Sequence, residues 1–304
     1  MLDAGGYCLH IWEMGCGSPA VIFDAALGAS CLSWLLVQPE VARFARAVTY
    51  DRAGLGWSDL GPEPRTARHI AEELHTLLQT ANLPPPYVLV GHSFGGFSAQ
   101  LFASRFREEV AGLVLVDVPS PSEWVSPSPQ DLRRLEIGAR LARRGAWAAR
   151  LGIARVVSWL VSSGARGMAR MAVSLVDGGI LRPADQDRIL APLHCVPKEY
   201  HPALKHLWTQ PKFFSALASQ MENLPETAKQ VLEAGVPPDL PLVVLTAASP
   251  SPSRLHEQVE TARLSRRGRN MVASHSGHWI PLEEPELVIQ AIREVIAESC
   301  RQAW

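Results

Sequence analysis

The sequence predicts an α/β fold, a mostly parallel central sheet flanked by helices with a helical insertion between two strands. Three observations carry this. Short, nearly uninterrupted apolar runs at 20–23, 47–50, 87–90, 110–116 and 241–246 read as strands buried on both faces, as central strands of a parallel sheet are. Amphipathic helical stripes separate them, such as Ile70, Leu74, Leu77 and Leu78 behind a capping Thr66. From about 119 to 237 the strand–helix alternation gives way to helical sequence interrupted by Pro and Gly, and it resumes afterwards. The domain expectation is therefore a core of residues 1–118 and 238–304, with 119–237 as a helical domain inserted into it.

The totals fit one large domain plus an insertion. At 304 residues, 47% of them apolar, the chain can bury a sizeable core. A net charge of -1 gives nucleic acid nothing to hold. Five cysteines are odd in number and lack CxxC spacing, which argues for reduced thiols in a cytoplasmic protein and against a disulfide framework or zinc site. No basic and apolar leader opens the sequence, and no apolar run reaches spanning length, so no stable membrane insertion is expected.

At the amino end, residues 7–14 alternate loosely and precede a Gly15–Pro19 turn, predicting an early hairpin. The run at 87–90 then stops at Gly91-His92-Ser93-Phe94-Gly95, and a helix rich in small residues follows. Strand, Gly-x-Ser-x-Gly and helix together describe a nucleophile elbow, a turn so tight that the serine hydroxyl projects clear of the sheet. Gly91 and Gly95 let strand and helix backbones approach where a Cβ would obstruct them. The bland reading is a glycine-rich turn whose serine caps the helix.

On these residues the chain resembles the α/β-hydrolase family, in its serine-hydrolase branch with a helical cap, and the likeness covers nearly everything outside the middle third. The resemblance implies an α/β-hydrolase fold with 119–237 as the cap. It makes Ser93 the nucleophile and puts the oxyanion-hole amides on Phe94 and Leu27. Here Ala25 and Ala26 take the places of the usual His and Gly, and Ala26 restricts the loop. Asp51-Arg52-Ala53-Gly54-Leu55-Gly56-Trp57-Ser58 resembles the family's D-x-x-G-x-G-x-S turn, with a structural role for Asp51 and Arg52. It is not a dinucleotide fingerprint.

A serine hydroxyl needs a base. Ser276-Gly277-His278-Trp279, after a last strand at 270–274 and before a terminal helix, matches the family's catalytic-histidine loop at His278. His275 is the rival, closer to the strand end. The base needs a carboxylate, yet the loop after Leu245-Thr246 carries no acid where many relatives keep an aspartate. Asp117, ending the strand after the elbow helix, is the position some branches use. Its alternative is a structural turn aspartate, with Glu257 and Glu123 in reserve.

The insertion carries Trp124, Trp147, Trp159, Met168, Met171, Trp208, Phe213 and Phe214, expected mainly as its own small core with some roofing a pocket. Its first half is basic, from Arg133 and Arg134 to Arg155. A solvated face is preferred to a membrane-surface helix because Gly138, Gly145 and Gly152 interrupt it. Residues 194, 195, 201 and 206 mimic a metal cluster, but their spacing and Pro197 and Pro202 disperse them; no metal or cofactor is expected. His69 and His75 are expected on a solvated helix face. The reaction implied is cleavage of a small to medium hydrophobic ester, a small-molecule substrate, through an acyl-enzyme. The alternatives are a lactonase, amidase, C–C hydrolase or perhydrolase with the same triad, or a non-catalytic binder of the same fold. Serine at the elbow argues against the dehalogenase and epoxide hydrolase branches, which need a carboxylate nucleophile.

Overall fold

The structure, a computed structural model, describes residues 1–162, 195–248 and 251–301. Met168, Met171, residue 194 and loop residues 249–250 lie outside the described residues. The strands are β1 (Leu2–Asp3), β2 (Cys8–Leu9), β3 (Ile11–Met14), β4 (Ala20–Asp24), β5 (Arg46–Tyr50), β6 (Tyr87–His92), β7 (Val110–Val116), β8 (Leu242–Thr246) and β9 (Gly268–Val272). All but the first two form a sheet in the order β3-β5-β4-β6-β7-β8-β9. Only the β3–β5 pairing in it is antiparallel.

Strand period two divides the apolar runs between two cores. Ile22, Val48, Leu89, Leu113 and Val244 face one side, where they meet α2 (Ala67–Thr80) through Ile70 and Leu74 and α3 (Gly95–Arg105) through Phe97 and Phe102. Val21, Phe23, Val88, Val90, Val114 and Leu245 face the other, packing on Val288, Ile292 and Val295. Burial on both faces is why these strands read as continuous hydrophobic runs rather than alternating ones.

Two expectations shift. The 15–19 turn does not make a hairpin. Strand β3 pairs with β5, which separates it from β4, and the amino-terminal hairpin is instead β1 with β2. The last strand spans Gly268–Val272, two residues earlier than its apolar residues suggest, because parallel pairing sets Leu242 opposite Gly268. His75 also departs from a solvated face: it stacks on Phe106 at 3.8 Å and bonds Glu109 at 3.0 Å.

After a short α1 (Gln38–Val41) and helices α2 and α3, the segment between β7 and β8 is helical wherever it is described as regular. It comprises α4 (Pro121–Val125), α5 (Pro129–Arg150), α6 (Ile153–Ser162), α7 (His201–Trp208), α8 (Pro211–Glu222) and α9 (Leu224–Ala234). Then come α10 (Pro252–Ala262), α11 (Ile280–Glu283) and α12 (Pro285–Cys300). Helix α8 seats on the core by close approach. A Cβ on Gly54 would lie 2.5 Å from Ala216 Cβ, and one on Gly28 would lie 3.3 Å from Leu217 Cδ1. Lys212 Nζ donates to Ser58 O at 2.6 Å, and Arg143 on α5 ties Glu63 of the core to Glu222 of α8. Trp124, Trp208, Phe213 and Phe214 are half-buried, whereas Trp147 and Trp159 are 66% and 65% exposed and join no core among the described residues. Among the described residues no helix is long and apolar enough to cross a membrane.

Candidate active site

The elbow is built by backbone contact. A Cβ on Gly91 would lie 2.5 Å from Gly95 O and 2.6 Å from Gly96 Cα, so the end of β6 and the start of α3 touch. Gly95 serves a different contact from the expected one. Its Cβ would meet Asp24 O at 2.5 Å and Ala25 O at 2.6 Å, so it admits the end of β4 rather than β6. Gly96 gives way to Val118, 2.1 Å from the same construction. At the apex Ser93 sits at φ +52°, a left-handed conformation that serine adopts only under constraint. The constraint is on both sides: Ser93 N donates to Val116 O at 2.9 Å, and Gly96 N donates to Ser93 O at 2.9 Å. Ser93 is half-buried, and its hydroxyl has no hydrogen-bond partner among the described residues, His278 included.

His278 lies beyond β9, on the loop before α11. Glu283 Oε2 accepts Gly277 N at 2.7 Å, and Glu284 Oε2 accepts His275 N at 3.0 Å, so helix-start carboxylates hold the loop. His278 Nδ1 meets Asp117 Oδ2 at 2.6 Å. The rival His275 is exposed and, among the described residues, engaged only through its main chain. Asp117, also left-handed at φ +43°, is pinned by Asp117 N donating to Leu245 O at 2.8 Å. Burial pushes the Asp117 carboxyl up, but the His278 hydrogen bond, its charge and Arg254 outweigh burial and hold it below the usual range. The reserves are elsewhere: Glu123 pairs with Arg254 at 3.7 Å and lies against Glu257.

Two further residues belong to this geometry and were not singled out in the sequence. His92, wholly buried, donates from Nε2 to the main-chain carbonyl of His278 at 2.7 Å. Burial, and then neighbouring His278, push its ring down to about 3, so it is neutral with the proton on Nε2, the tautomer its carbonyl partner requires. Arg254, on α10, donates to Asp117 O at 3.3 Å and reaches Asp117 Oδ1 at 3.7 Å. The available signals were a polar residue closing an apolar strand beside Ser93, and a cation opening the helix just past the loop that lacks an acid.

The expected oxyanion donors flank the Gly95 contact. Leu27 is half-buried two residues past Ala25, and Phe94 precedes α3. Neither backbone N–H has an acceptor among the described residues. Ala26, buried, is accommodated in the loop with Ala29 N donating to its carbonyl at 3.0 Å.

One described cluster has ligand atoms close enough to share an ion: His10, Cys31 and Asp51, all within 4.8 Å. Protein donors already occupy the carboxylate. Oδ1 takes Cys31 N at 2.7 Å, and Oδ2 takes Trp57 N at 3.1 Å and faces His10 Nδ1 at 3.0 Å. Burial and Asp51 push the Cys31 thiol far up, away from the thiolate a metal requires. The cluster knots the β5 turn to the loop after β4, the structural part expected of Asp51. Of the dispersed set, His201 bonds Val196 O at 2.9 Å and His206 bonds Gln210 at 2.9 Å.

Residues 19–141 match the family described as alpha/beta hydrolase fold. The uncharacterized protein YqjL of Bacillus subtilis is 34% identical over 103 residues, 34% of this chain and 41% of that protein. The uncharacterized protein C23C11.06c of Schizosaccharomyces pombe is 25% identical over 86% of this chain and 43% of its own length. The chain thus spans about two fifths of these curated relatives. A thermophilic esterase from Thermogutta terrifontis superposes with a TM-score of 0.67 at 23% identity, covering 96% of this chain and 94% of the esterase. With a mostly parallel sheet whose sixth strand breaks into a left-handed serine turn, and with these likenesses, the chain has the α/β-hydrolase fold, and its residues 19–141 match that family.

Proposed function

We propose that this protein is a serine hydrolase that cleaves small to medium hydrophobic carboxylic esters through an acyl-enzyme. The observation that carries the reading is the 2.6 Å contact between His278 Nδ1 and Asp117 Oδ2, one main-chain link through His92 from a strained Ser93. With Nδ1–H held by the carboxylate, the proton-free nitrogen of His278 is Nε2, the tautomer a general base for serine requires.

Ser93 Oγ bonds to the ester carbonyl carbon while its proton passes to His278 Nε2. The carbonyl π pair moves onto oxygen, and the N–H groups of Leu27 and Phe94 receive that charge. Collapse expels the alkoxide, which takes the proton from Nε2, leaving the acyl group on Ser93. Water then attacks with His278 again as base, and Ser93 recovers its proton as the acid departs. Asp117 stabilises the imidazolium at both stages without taking its proton. Each oxyanion donor contributes on the order of 10²–10³-fold in rate. The helices between β7 and β8 serve as the cap, with α8 over the Leu27–Gly28 loop through Phe213 and Leu217; that apolar cover supports a hydrophobic acyl group.

Labelling with a fluorophosphonate tests the reading. Wild-type protein is expected to react at Ser93 and Ser93→Ala to stay unlabelled. Equal labelling of the two, or none of wild type, overturns it. A panel of p-nitrophenyl esters beside lactones and amides then fixes the acyl class.

A further inference from the structure

The peptide unit between Ala26 and Leu27 carries both a buried carbonyl and the N–H assigned to the oxyanion hole. In a trans peptide those two groups lie in one rigid plane and point in opposite directions, so whatever holds the carbonyl aims the N–H. Two donors hold it: Ala29 N of the loop itself, at 3.0 Å, and Arg52 Nη2, from a side chain only 2% exposed. The same guanidinium lies with Cζ 5.0 Å from the centroid of the Phe94 ring, the residue bearing the other donor. Its own position is fixed by Asp24, the last residue of β4, whose Oδ1 is 3.4 Å from Nη1. Asp24 is fixed in turn by Ser98 of α3, which donates its hydroxyl to Oδ2.

We propose that Arg52 is a positioning residue for the oxyanion hole, setting the Leu27 amide through the Ala26 carbonyl and the Phe94 residue through its ring. A purely structural ion pair would need only Asp24. Here Nη1 only faces that carboxylate across an ion pair without a hydrogen bond, and the guanidinium's hydrogen bond goes to the one carbonyl whose peptide presents a catalytic amide. A charge-assisted bond to that carbonyl also polarises the peptide toward a stronger N–H donor. It offers a physical answer to Ala26, where the more flexible glycine is absent: a charged side chain joins the loop's own Ala29 N bond in setting the plane.

The assignment rests on the acyl-transfer reading. Its test compares wild type, Arg52→Lys and the charge-neutral double variant Asp24→Leu/Arg52→Met, which removes both partners so that no buried charge is stranded. Three quantities are read on a short p-nitrophenyl ester: kcat and KM, affinity for a trifluoromethyl ketone that adds to Ser93 as an oxyanion, and the midpoint of the acid limb of the rate profile. The expected result for the double variant is a 10²–10³-fold loss of kcat. Affinity for the ketone falls by a comparable factor, while KM and the acid midpoint stay within error. Arg52→Lys, keeping the charge without the fork, loses at least about tenfold in kcat at an unchanged Tm.

Either folded variant with kcat and ketone affinity within threefold of wild type overturns the assignment. So does a kcat loss with unchanged ketone affinity and a moved acid midpoint, which would place the effect on His278. Wild-type protein that neither turns over esters nor labels at Ser93 removes the acyl-transfer reading itself, and the assignment with it.

Discussion

His92 donates its Nε2 proton to the main-chain carbonyl of His278 at 2.7 Å, joining the neighbour of the candidate nucleophile to the candidate base across 186 residues of sequence. The buried ring is neutral down to about 3, whereas in the unfolded chain it takes up a proton near its ordinary 6.5. Between those values the unfolded state binds more protons, so stability falls as pH drops from about 6.5 toward 3. His92→Asn keeps an N–H donor and discards the titration. Thermal melts should therefore show its Tm declining less than that of wild type between pH 7 and 4.5. Parallel curves would remove His92 from the account.

Asp117→Asn is expected to lower kcat by about 10⁴-fold with the fold intact, because an amide favours the wrong imidazole tautomer. Its stability effect has its own pH signature. The folded carboxyl titrates below its ordinary 3.8, so its contribution is full above that value and is lost as pH falls further. The Tm gap between wild type and Asp117→Asn should accordingly close below about pH 3.8. Near-normal turnover of the variant would move the acid to another residue.

Arg254 places a cation 3.7 Å from Asp117 Oδ1 with about a fifth of its side chain exposed. Removing it as Arg254→Met leaves a less compensated carboxylate beside His278, which favours the imidazolium. The acid limb of the rate profile should move to higher pH by a fraction of a unit, and the shift should shrink in high salt. A downward shift, or one indifferent to salt, contradicts this arrangement.

Gly91→Ala and Gly96→Ala force a methyl group to within 2.5 Å of Gly95 O and 2.1 Å of Val118 Cγ2. The first meets backbone, the second a rotatable valine. Gly91→Ala should therefore cost several kcal/mol and fail to accumulate as folded protein, and Gly96→Ala should cost about 1–3 kcal/mol. Chemical denaturation checks the order; Gly96→Ala proving the worse would reverse the packing described for the elbow.

Much of this arrangement was legible because each part has a local cause. Continuous apolar runs such as 110–116 can only be strands covered on both faces, and Gly91-x-Ser93-x-Gly95 has a backbone reason to exist. The approach of Asp117 to His278 was readable as an expectation because chain order and a missing acid narrowed the choice. What sequence could not give were the relationships made by folding alone. Nothing near Gly95 says that it answers to Asp24 and Ala25, seventy residues earlier, and nothing near β3 says that β5 rather than β4 will pair with it. His92 reads as the end of a strand until its partner, a carbonyl without side-chain identity, is brought beside it. Arg52 likewise reads as part of a turn signature, since the atom it holds is main chain.

Helix α8 meets the core through Ala216 at Gly54 and through Phe213 and Leu217 at Gly28, while its other side packs on α5, with Phe214 against Gly145 and Met221 against Gly138, so its register is set from both sides at once. Only Phe213 and Leu217 of this helix lie over the Gly28 loop. If the proposed acyl transfer holds, exchanging Phe213 and Leu217 while leaving Ala216 in place should change which p-nitrophenyl ester chain length is preferred at an unchanged Tm.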